Sequence, residues 1–371
     1  MLAPCLHHIP EKIDNAETLA RRPHIHALTS DEPGDVLRLR ALVYDYIRTY
    51  FITSNFLEVE TPVFDLNGGG AIARPFETVA NELSNTPVRL RIAPELNLKR
   101  LIIGGQDKIF EIGRAFRNEG VDNTHNPEFS TCEFYEVGAT LPDVIARTEQ
   151  LIQGLHTAAE SLRSTYFPSL AAPEGIDFTR PFAQLPFIPT IEKASGRKMP
   201  DLSSPNASAE VLDMFKKLNI TVPPNPTLPR LLDTLAEEYI EPLCVNPTFI
   251  THHPEALSPL SKSYLDSATS QRVASRVELF IHGREYVNAY EEENSPFEQR
   301  RKFTQQLDFH AEGEGQIDES YLEALEWGMP PTGGWGCGLD RLVMLFASKK
   351  RIADVLPFGT LRNVVSIAKT K

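Results

Sequence analysis

Positive charge is in short supply: 37 Lys and Arg stand against 50 Asp and Glu in 371 residues, a formal net charge of −13. A protein that lives by unspecific phosphate contact is basic, so nucleic-acid contact here must come from local patches on an acidic body. No apolar run approaches the ~20 residues that span a bilayer, and a protein with no membrane partner is expected. The four cysteines, Cys5, Cys132, Cys244 and Cys337, are scattered. None forms a C-x-x-C pair, which argues against a zinc cluster, and the spacing suggests no disulfide framework. A reducing compartment fits best. The opening MLAPCLHHIPEKIDNAE lacks the apolar core of a secretion signal, and its early acidic residues disfavour a transit peptide. Neither an internal repeat nor a low-complexity tract is present.

What the chain does have is enough apolar material, 41% of residues, for one large domain or two ordinary ones. Residues 1 to about 30 show no clear period and read as an appendage. From Val36, apolar residues at Leu37, Leu39, Val43, Tyr46, Ile47 and Phe51 follow helical spacing. FLEVETPVF (Phe56 to Phe64) alternates and carries a Pro, the pattern of an edge or interface strand. VRLRIAPEL, KIFEIGRAFRNE and NPEFSTCEFYEVGA are further strand-like runs with short connections, which suggests an antiparallel sheet rather than βαβ units. Residues 140 to about 165 read as a helix, followed by proline-rich connections to about 225. Strands resume with PTFITHHP, SRVELFIHG and REYVNAYEEE. A polar helix is expected near 296–312, and GGWGCGLDRLVMLFAS reads as a Gly-rich turn running into an apolar helix.

Three constellations carry chemistry. FRNEGVDNTHNPEF places Arg117 and Glu119 two residues apart on one strand, hence on one side, with His125 and Phe129 on the return. The set suits nucleotide handling: Arg117 can clamp an α-phosphate or carboxylate, Glu119 can accept from an adenine amino group, and Phe129 can stack on the base. In GLDRL, Arg341 lies beside a helix N-terminus, a good phosphate site. In VELFIHGREYVNAYEEEN, Glu278 and Glu285 are seven apart, on opposite faces of an uninterrupted strand. A hairpin turn at HG brings them together across two strands, where paired carboxylates would hold Mg²⁺ against ATP phosphates.

With the earlier strand, these pieces resemble the three signature motifs of class II aminoacyl-tRNA synthetases. FLEVETPVF, with Pro62, resembles the first, FRNE…HNPEF the second and GLDR the third. GGGAIARPF, RIAPELNLKRLIIGG, NEGVDNTHNPEFSTCEFY, NPTFITHHPEALSPLSKSY and ALEWGMPPTGGWG narrow the resemblance to lysyl-tRNA synthetases, and LAPCLHHIP with EYVNAYEEEN looks most like the fungal mitochondrial branch. The resemblance runs from about residue 34 to the end. It implies an α+β fold, a mainly antiparallel sheet flanked by helices. It also implies a homodimer built on the first motif, and lysine, ATP and the acceptor end of tRNA(Lys) as partners. The compartment it implies is mitochondrial, with cytoplasmic as the alternative.

Carried over by residue, the pattern has Gly70, Glu95 and Glu133 hold the lysine α-ammonium. Arg117 and Asn288 meet the carboxylate, and Arg117 also the α-phosphate. Tyr135 and Glu292 read the ε-ammonium. Phe129 stacks on adenine, Glu119 reads its edge, His125 and Arg341 face the phosphate tail, and Glu278 and Glu285 bind Mg²⁺ with Glu285 also on the ATP side. Residues 31–371 are expected to be the catalytic domain, with a proline-rich helical insertion at about 140–240. Residues 1–30 resemble the remnant of an anticodon-reading OB barrel that is otherwise absent, with its linker. The departure leaves two other readings: a shortened relative that lysylates a translation factor, or a non-catalytic lysine-binding regulator. His252 and His253 lack a third partner at metal spacing and read as structural. GGWGCG is no dinucleotide fingerprint. The basic tracts Lys99–Arg100 and Lys349–Arg351 read as plain surface.

Overall fold

The computed structural model describes residues 6–13, 15–65, 73–83, 85–307 and 317–368. Two short helices, α1 (Ala16–Arg21) and α2 (Pro23–Thr29), lead into α3 (Glu32–Thr53). Along α3, Val36, Leu39, Val43, Ile47 and Phe51 recur at three- and four-residue steps and are all buried, the single apolar stripe that a 3.6-residue repeat creates. The resemblance of LAPCLHHIP to a barrel strand falls partly on residues 1–5, outside the described residues; from Leu6 to Pro10 no strand forms.

The segment FLEVETPVF is not one strand but two fragments, β1 (Leu57–Glu58) and β2 (Phe64–Asp65). Between them the Thr61 amide and hydroxyl donate to the Glu111 carboxylate, at 3.1 and 2.7 Å, instead of to a neighbouring strand. β3 (Glu77–Ala80) and β4 (Thr86–Leu90) join β2 in a small antiparallel sheet. The run VRLRIAPEL therefore divides: its end opens helix α4 (Glu95–Ile103), because Pro94 lacks the N–H a strand would need.

The main sheet follows. β5 (Lys108–Phe116) and β6 (Glu128–Val137) form a long hairpin, and α5 (Leu141–Tyr166) crosses the back of the sheet. β7 (Ala183–Pro186) is an edge strand, after which α6 (Phe187–Ser195), α7 (Ala207–Leu218) and α8 (Leu228–Tyr239) form a helical lobe. β8 (Thr248–Thr251) returns to the sheet; β9 (Ser263–Leu265) and β10 (Arg272–Ala274) make a separate ribbon; β11 (Arg276–Ile281) and β12 (Arg284–Glu291) form a second hairpin. Helices α9 (Pro296–Leu307) and α10 (Glu319–Glu326) precede β13 (Thr332–Gly338), α11 (Leu339–Phe346) and α12 (Leu361–Ala368). The polar helix expected over 296–312 is α9 as far as Leu307; the rest lies outside the described residues.

Eight strands lie in the order β1-β5-β6-β13-β12-β11-β8-β7. Pairing is antiparallel throughout except at the two edges, β1 with β5 and β7 with β8. The α+β expectation thus holds, with parallel rims. GGWGCG, expected as a turn, is instead the central strand β13, hydrogen-bonded on both sides. The core behind the sheet joins α3, α5 and α11 to the inward residues of the strands. Phe51 sits at its centre, with ring centroids 5.1 Å from Phe110 and 5.2 Å from Phe134; Phe134 stacks on Trp335 at 5.4 Å. The Trp335 indole N–H is satisfied by Thr148 Oγ1 at 3.0 Å, as a buried donor requires. The span of about 140–240, expected as one insertion, divides at its first helix: α5 belongs to this main core, whereas α6 to α8 pack in a second one with Ile250 and Phe280. Among the described residues no helix is long and apolar enough to cross a membrane.

Candidate active site

Strand alternation sorts the sheet into a core side and an open side. On β6, Cys132 and Phe134 enter the core, so Phe129, Thr131, Glu133 and Tyr135 face the other way. Directly paired residues share a face. Glu133 lies opposite Glu111 and Gly336, Gly336 opposite Asn288, and Asn288 opposite Glu278. One row further, Tyr135, Gly334, Tyr290 and Arg276 line up in the same way. On β13 the alternation gives Trp335 and Cys337 to the core and Gly334, Gly336 and Gly338 to the open side. The centre of the sheet is therefore a floor without side chains. A Cβ on Gly334 would come within 1.8 Å of Glu292 Oε1 and 2.8 Å of the Tyr135 ring.

The β11–β12 hairpin turns at His282 and Gly283, with φ of 50° and 64°, the doubly left-handed turn that matches strand twist. Phe280 then pairs with Glu285 and Leu279 with Val287, leaving Tyr286 as an extra residue. Glu285 and Asn288 are three apart and would face opposite ways in a regular strand. The bulge lets both face the open side while Tyr286 drops into the core.

At one end of this face lies a buried polar pocket. Glu95 on α4 accepts from Lys99 Nζ and from the Tyr290 hydroxyl, each at 2.6 Å. Lys99 Nζ also pairs with Glu292 Oε2. Lys99 and Glu292 are fully buried, and Glu95, Glu133 and Tyr135 nearly so. Burial alone would lower the Lys99 ammonium, but the Glu292 and Glu95 carboxylates outweigh it and hold it above the ordinary lysine range. Burial, followed by the charge of Glu95, pushes Glu133 up to about 8, against the 3.2 Å hydrogen bond from Tyr135. Among the described residues no donor hydrogen-bonds Glu292 Oε1. A fully buried carboxylate oxygen without a donor is costly unless a ligand supplies one.

At the other end stand the arginines. Arg117 follows β5; its amide continues the ladder to Pro127 O at 2.8 Å, its Nε donates to Ile92 O at 3.3 Å, and its guanidinium lies 5.1 Å over the Phe129 ring. Its positive charge pulls against the upward shift of Glu133. Arg341 donates to Glu285 O at 2.8 Å, approaches Glu285 Oε2 at 3.5 Å and meets His125 Nε2 at 2.9 Å. A Cβ on Gly338 would point at its side chain, which puts Arg341 on the open side of the sheet. His125 Nδ1 is held by Asp122 at 2.8 Å. His125, Glu285 and Arg341 line a cavity of ≈ 280 Å³ with Glu237 and Glu241 from the helical lobe; Arg117 does not line it.

Glu278, expected beside Glu285 as a metal holder, has one oxygen on Arg276 and the other on His253 Nε2 at 2.9 Å. Burial alone would raise it, but Arg276 and His253 hold it at about 2. Burial and then the surrounding carboxylates Glu237, Glu278 and Glu285 push Glu241 up to about 7. Burial also raises Asp233, to about 6, where Arg276 opposes and Glu278, Glu237 and Glu285 add to the shift. The lobe side of the cavity is thus short of positive charge. Among the described residues no group of three or more His, Cys, Asp or Glu is arranged to hold a metal by itself.

Of the expected site residues, Glu95, Glu133, Tyr135 and Glu292 meet in the buried pocket, with Asn288 in the next row. Arg117 and Phe129 meet at the end of β5, and His125, Glu285 and Arg341 share the cavity. Glu119 is exposed in the loop after β5, its amide bonded to Arg117 O; neither it nor Arg117 is within a strand. Gly70 lies outside the described residues. Four groups escaped the sequence reading. Lys99, read as surface, is entirely buried; its i, i+4 spacing from Glu95 was the available signal. Tyr290 caps Glu95. Arg276 bonds Asn288 Oδ1 at 2.9 Å as well as Glu278. Asp340, inside GLDR, accepts from the Ser130 amide at 2.8 Å and pairs with Arg40 at 2.6 Å, fixing the start of α11 to β6 and α3.

Residues 15–362 match the family model of the tRNA synthetases class II (D, K and N). The chain is 39% identical over 373 residues to lysine--tRNA ligase cla4 of Cladosporium cladosporioides, covering 98% of this chain and 62% of that protein. It is 38% identical over 372 residues to the mitochondrial lysine--tRNA ligase of Schizosaccharomyces pombe, with 98% and 68% covered. A probable cytoplasmic lysine--tRNA ligase of Encephalitozoon cuniculi is 40% identical over 381 residues, with 98% and 73% covered. The chain spans about two thirds of the length of these relatives.

Proposed function

Because the chain belongs to the tRNA synthetases class II (D, K and N), we propose that it acts as a lysine--tRNA ligase, activating L-lysine with ATP and passing the lysyl group to tRNA(Lys). The observation that carries this reading is the fully buried Glu292 carboxylate, with an oxygen open to a donor, on the same sheet face as Arg117 and Arg341. A compact cation is the ligand such a carboxylate accepts.

In this reading the lysine ε-ammonium meets Glu292 and Tyr135, and the α-ammonium meets Glu95 and Glu133; Gly70, the third residue the family pattern gives that group, lies outside the described residues. Asn288, its carbonyl oxygen turned to Arg276, presents its NH₂ to the lysine carboxylate together with Arg117. The carboxylate oxygen attacks the α-phosphorus of ATP and the bond to pyrophosphate breaks, giving lysyl-adenylate. A tRNA ribose hydroxyl then displaces AMP. Neither step needs a protein nucleophile; positioning and charge neutralisation by Arg117 and Arg341 carry the acceleration. Phe129 offers its ring to adenine, Glu119 its carboxylate to the base edge, and His125 a contact to the phosphate tail.

The donor set around Glu285 fits a hard divalent cation: the lobe carboxylates are short of positive charge, and a Mg²⁺ shared with substrate phosphates needs only one or two of them. Glu285 is the open ligand; Glu278 would have to yield an oxygen held by Arg276 or His253. When bound, Mg²⁺ would neutralise phosphate charge. Residues 31–371 are the catalytic unit on this reading. Exposed Leu57, Val63 and Phe64 around the first motif supply apolar surface for a homodimer. A mitochondrial placement follows the S. pombe relative, and cell fractionation decides between it and the cytoplasm.

The test is lysine-dependent ATP–pyrophosphate exchange by the purified chain, followed by transfer of labelled lysine to tRNA or to a translation factor. Arg117→Ala is expected to abolish exchange with the fold intact. Absence of lysine-dependent exchange in the unaltered protein sinks the reading.

A further inference from the structure

Among the described residues, three carboxylates, Glu95, Glu133 and Glu292, converge in the pocket, and one cation, Lys99, stands among them. Lys99 projects from α4 with no exposure, bridges Glu95 and Glu292, and lies 5.5 Å from the centre of the Tyr290 ring. A lone buried ammonium is costly unless paired; here one ammonium serves two carboxylates from different elements.

The count has a chemical meaning. Burial raises Glu133 and Glu292; once bound ammonium groups have ionised all three carboxylates, Lys99 leaves the pocket with two negative charges. Free lysine carries two ammonium groups, and its carboxylate falls to Arg117 and Asn288 outside this cluster. We propose that Lys99 is a positioning residue that sets ligand specificity: its ammonium cancels one of the three charges and fixes Glu292, so that the pocket matches a ligand with two ammonium groups. This rests on the reading of the pocket as the lysine site.

The geometry assigns separate tasks to the two oxygens of Glu292. Lys99 takes Oε2, and Oε1, for which no described residue supplies a hydrogen bond, is left for the ligand. Glu95 divides in the same sense, since Lys99 and Tyr290 both use Oε1. Lys99 thus orients both carboxylates through one oxygen of each.

The experiment uses the full chain and pyrophosphate exchange. Lys99→Met removes the charge at nearly constant volume, and Lys99→Gln keeps donors without charge. In both, the lysine KM is expected to rise at least ~50-fold, as loss of one partner of a buried pair implies, while the ATP KM stays within about threefold. Lys99→Arg keeps the charge and retains more lysine affinity than Lys99→Gln. In Lys99→Ala, added propylammonium restores exchange at low lysine, whereas propanol does not. A purely structural lysine would shift thermal stability and both KM values together, without a charge-specific rescue. A lysine KM within threefold of the unaltered protein in either neutral variant overturns the proposal, as does equal rescue by propanol. If the neutral variants do not fold, rescue of Lys99→Ala and the behaviour of Lys99→Arg decide: failure of both overturns it. If the unaltered chain shows no lysine-dependent exchange, the underlying reading has failed instead.

Discussion

Gly334→Ala places a methyl group on the bare floor of the sheet. Its Cβ would stand 1.8 Å from Glu292 Oε1 and 2.8 Å from the Tyr135 ring. To regain ordinary contact the carboxylate must retreat by about 1.6 Å, more than a hydrogen bond or ion pair tolerates. Retreat pulls Oε1 out of the pocket and strains the Lys99 pair behind it. Breaking a buried pair outright costs about 3–5 kcal/mol. Since Glu292 can turn rather than leave, roughly 2–4 kcal/mol of lysine binding is expected to go, a ~30- to 700-fold rise in lysine KM. Arg117 and Arg341 are outside the clash, so the ATP KM should change by less than about threefold. Exchange kinetics with each substrate varied in turn, alongside a thermal melt, separate the effects. A Gly334→Ala protein with the lysine KM of the unaltered chain would refute the idea that the floor must be empty for Glu292 to enter.

Other outcomes follow from the same geometry. Glu133 is pushed up to about 8 by burial and the charge of Glu95, and a bound ammonium favours its ionised form. Lysine affinity is therefore expected to rise with pH, approaching tenfold per unit below about 8, then level off; calorimetry in buffers of different ionisation heat would also register proton release below that pH. Between about 4.5 and 8 the folded state keeps a proton that the unfolded chain has lost, so stability without lysine should fall as pH rises through that window; a melting temperature that climbs there counts against the assignment. Glu285→Gln is expected to raise the Mg²⁺ concentration for half-maximal exchange about tenfold or more with little change in lysine KM; an unchanged Mg²⁺ titration would remove Glu285 as a ligand. Phe51→Ala, at the centre of the aromatic cluster, should cost about 3–5 kcal/mol by urea unfolding; a loss under 1 kcal/mol would mean the core re-forms around it.

Much of the site was legible because its residues come in short, chemically unusual strings. FRNE with HNPEF, GLDR and the EEEN run are polar clusters in strand or turn positions where a packing role is hard to assign, and the structure brings Arg117, Phe129, Arg341 and Glu292 from them to one side of the sheet, while Glu291 and Asp340 serve the packing behind it. The fold was less legible where local pattern and tertiary context disagree. GGWGCG looks like a turn because glycine is poor in strands, yet its backbone is paired on both sides and the missing side chains make room for neighbours. FLEVETPVF alternates like a strand, but Glu111, fifty residues on, captures Thr61 between its two fragments. Lys99 was hidden for the opposite reason. A Lys–Arg pair on a helix is ordinarily wet, and nothing local announces that Glu292, nearly two hundred residues away, closes over one of the two. The insertion reading failed at α5 because its amphipathic stripe matches the main core, whereas the helices beyond it build a core of their own.

The extra residue at Tyr286 makes the length of the β11–β12 arm a matter of parity. Delete that one residue and the ladder becomes regular with every face kept: Glu285, Asn288 and Tyr290 stay on the open side, while Val287 and Ala289 stay against the hydrocarbon behind. Keep Tyr286 but flatten the bulge into a regular strand, and every group beyond it, through to Tyr290, would change sides at once. The kink is therefore what lets this arm carry one residue more than an even alternation allows.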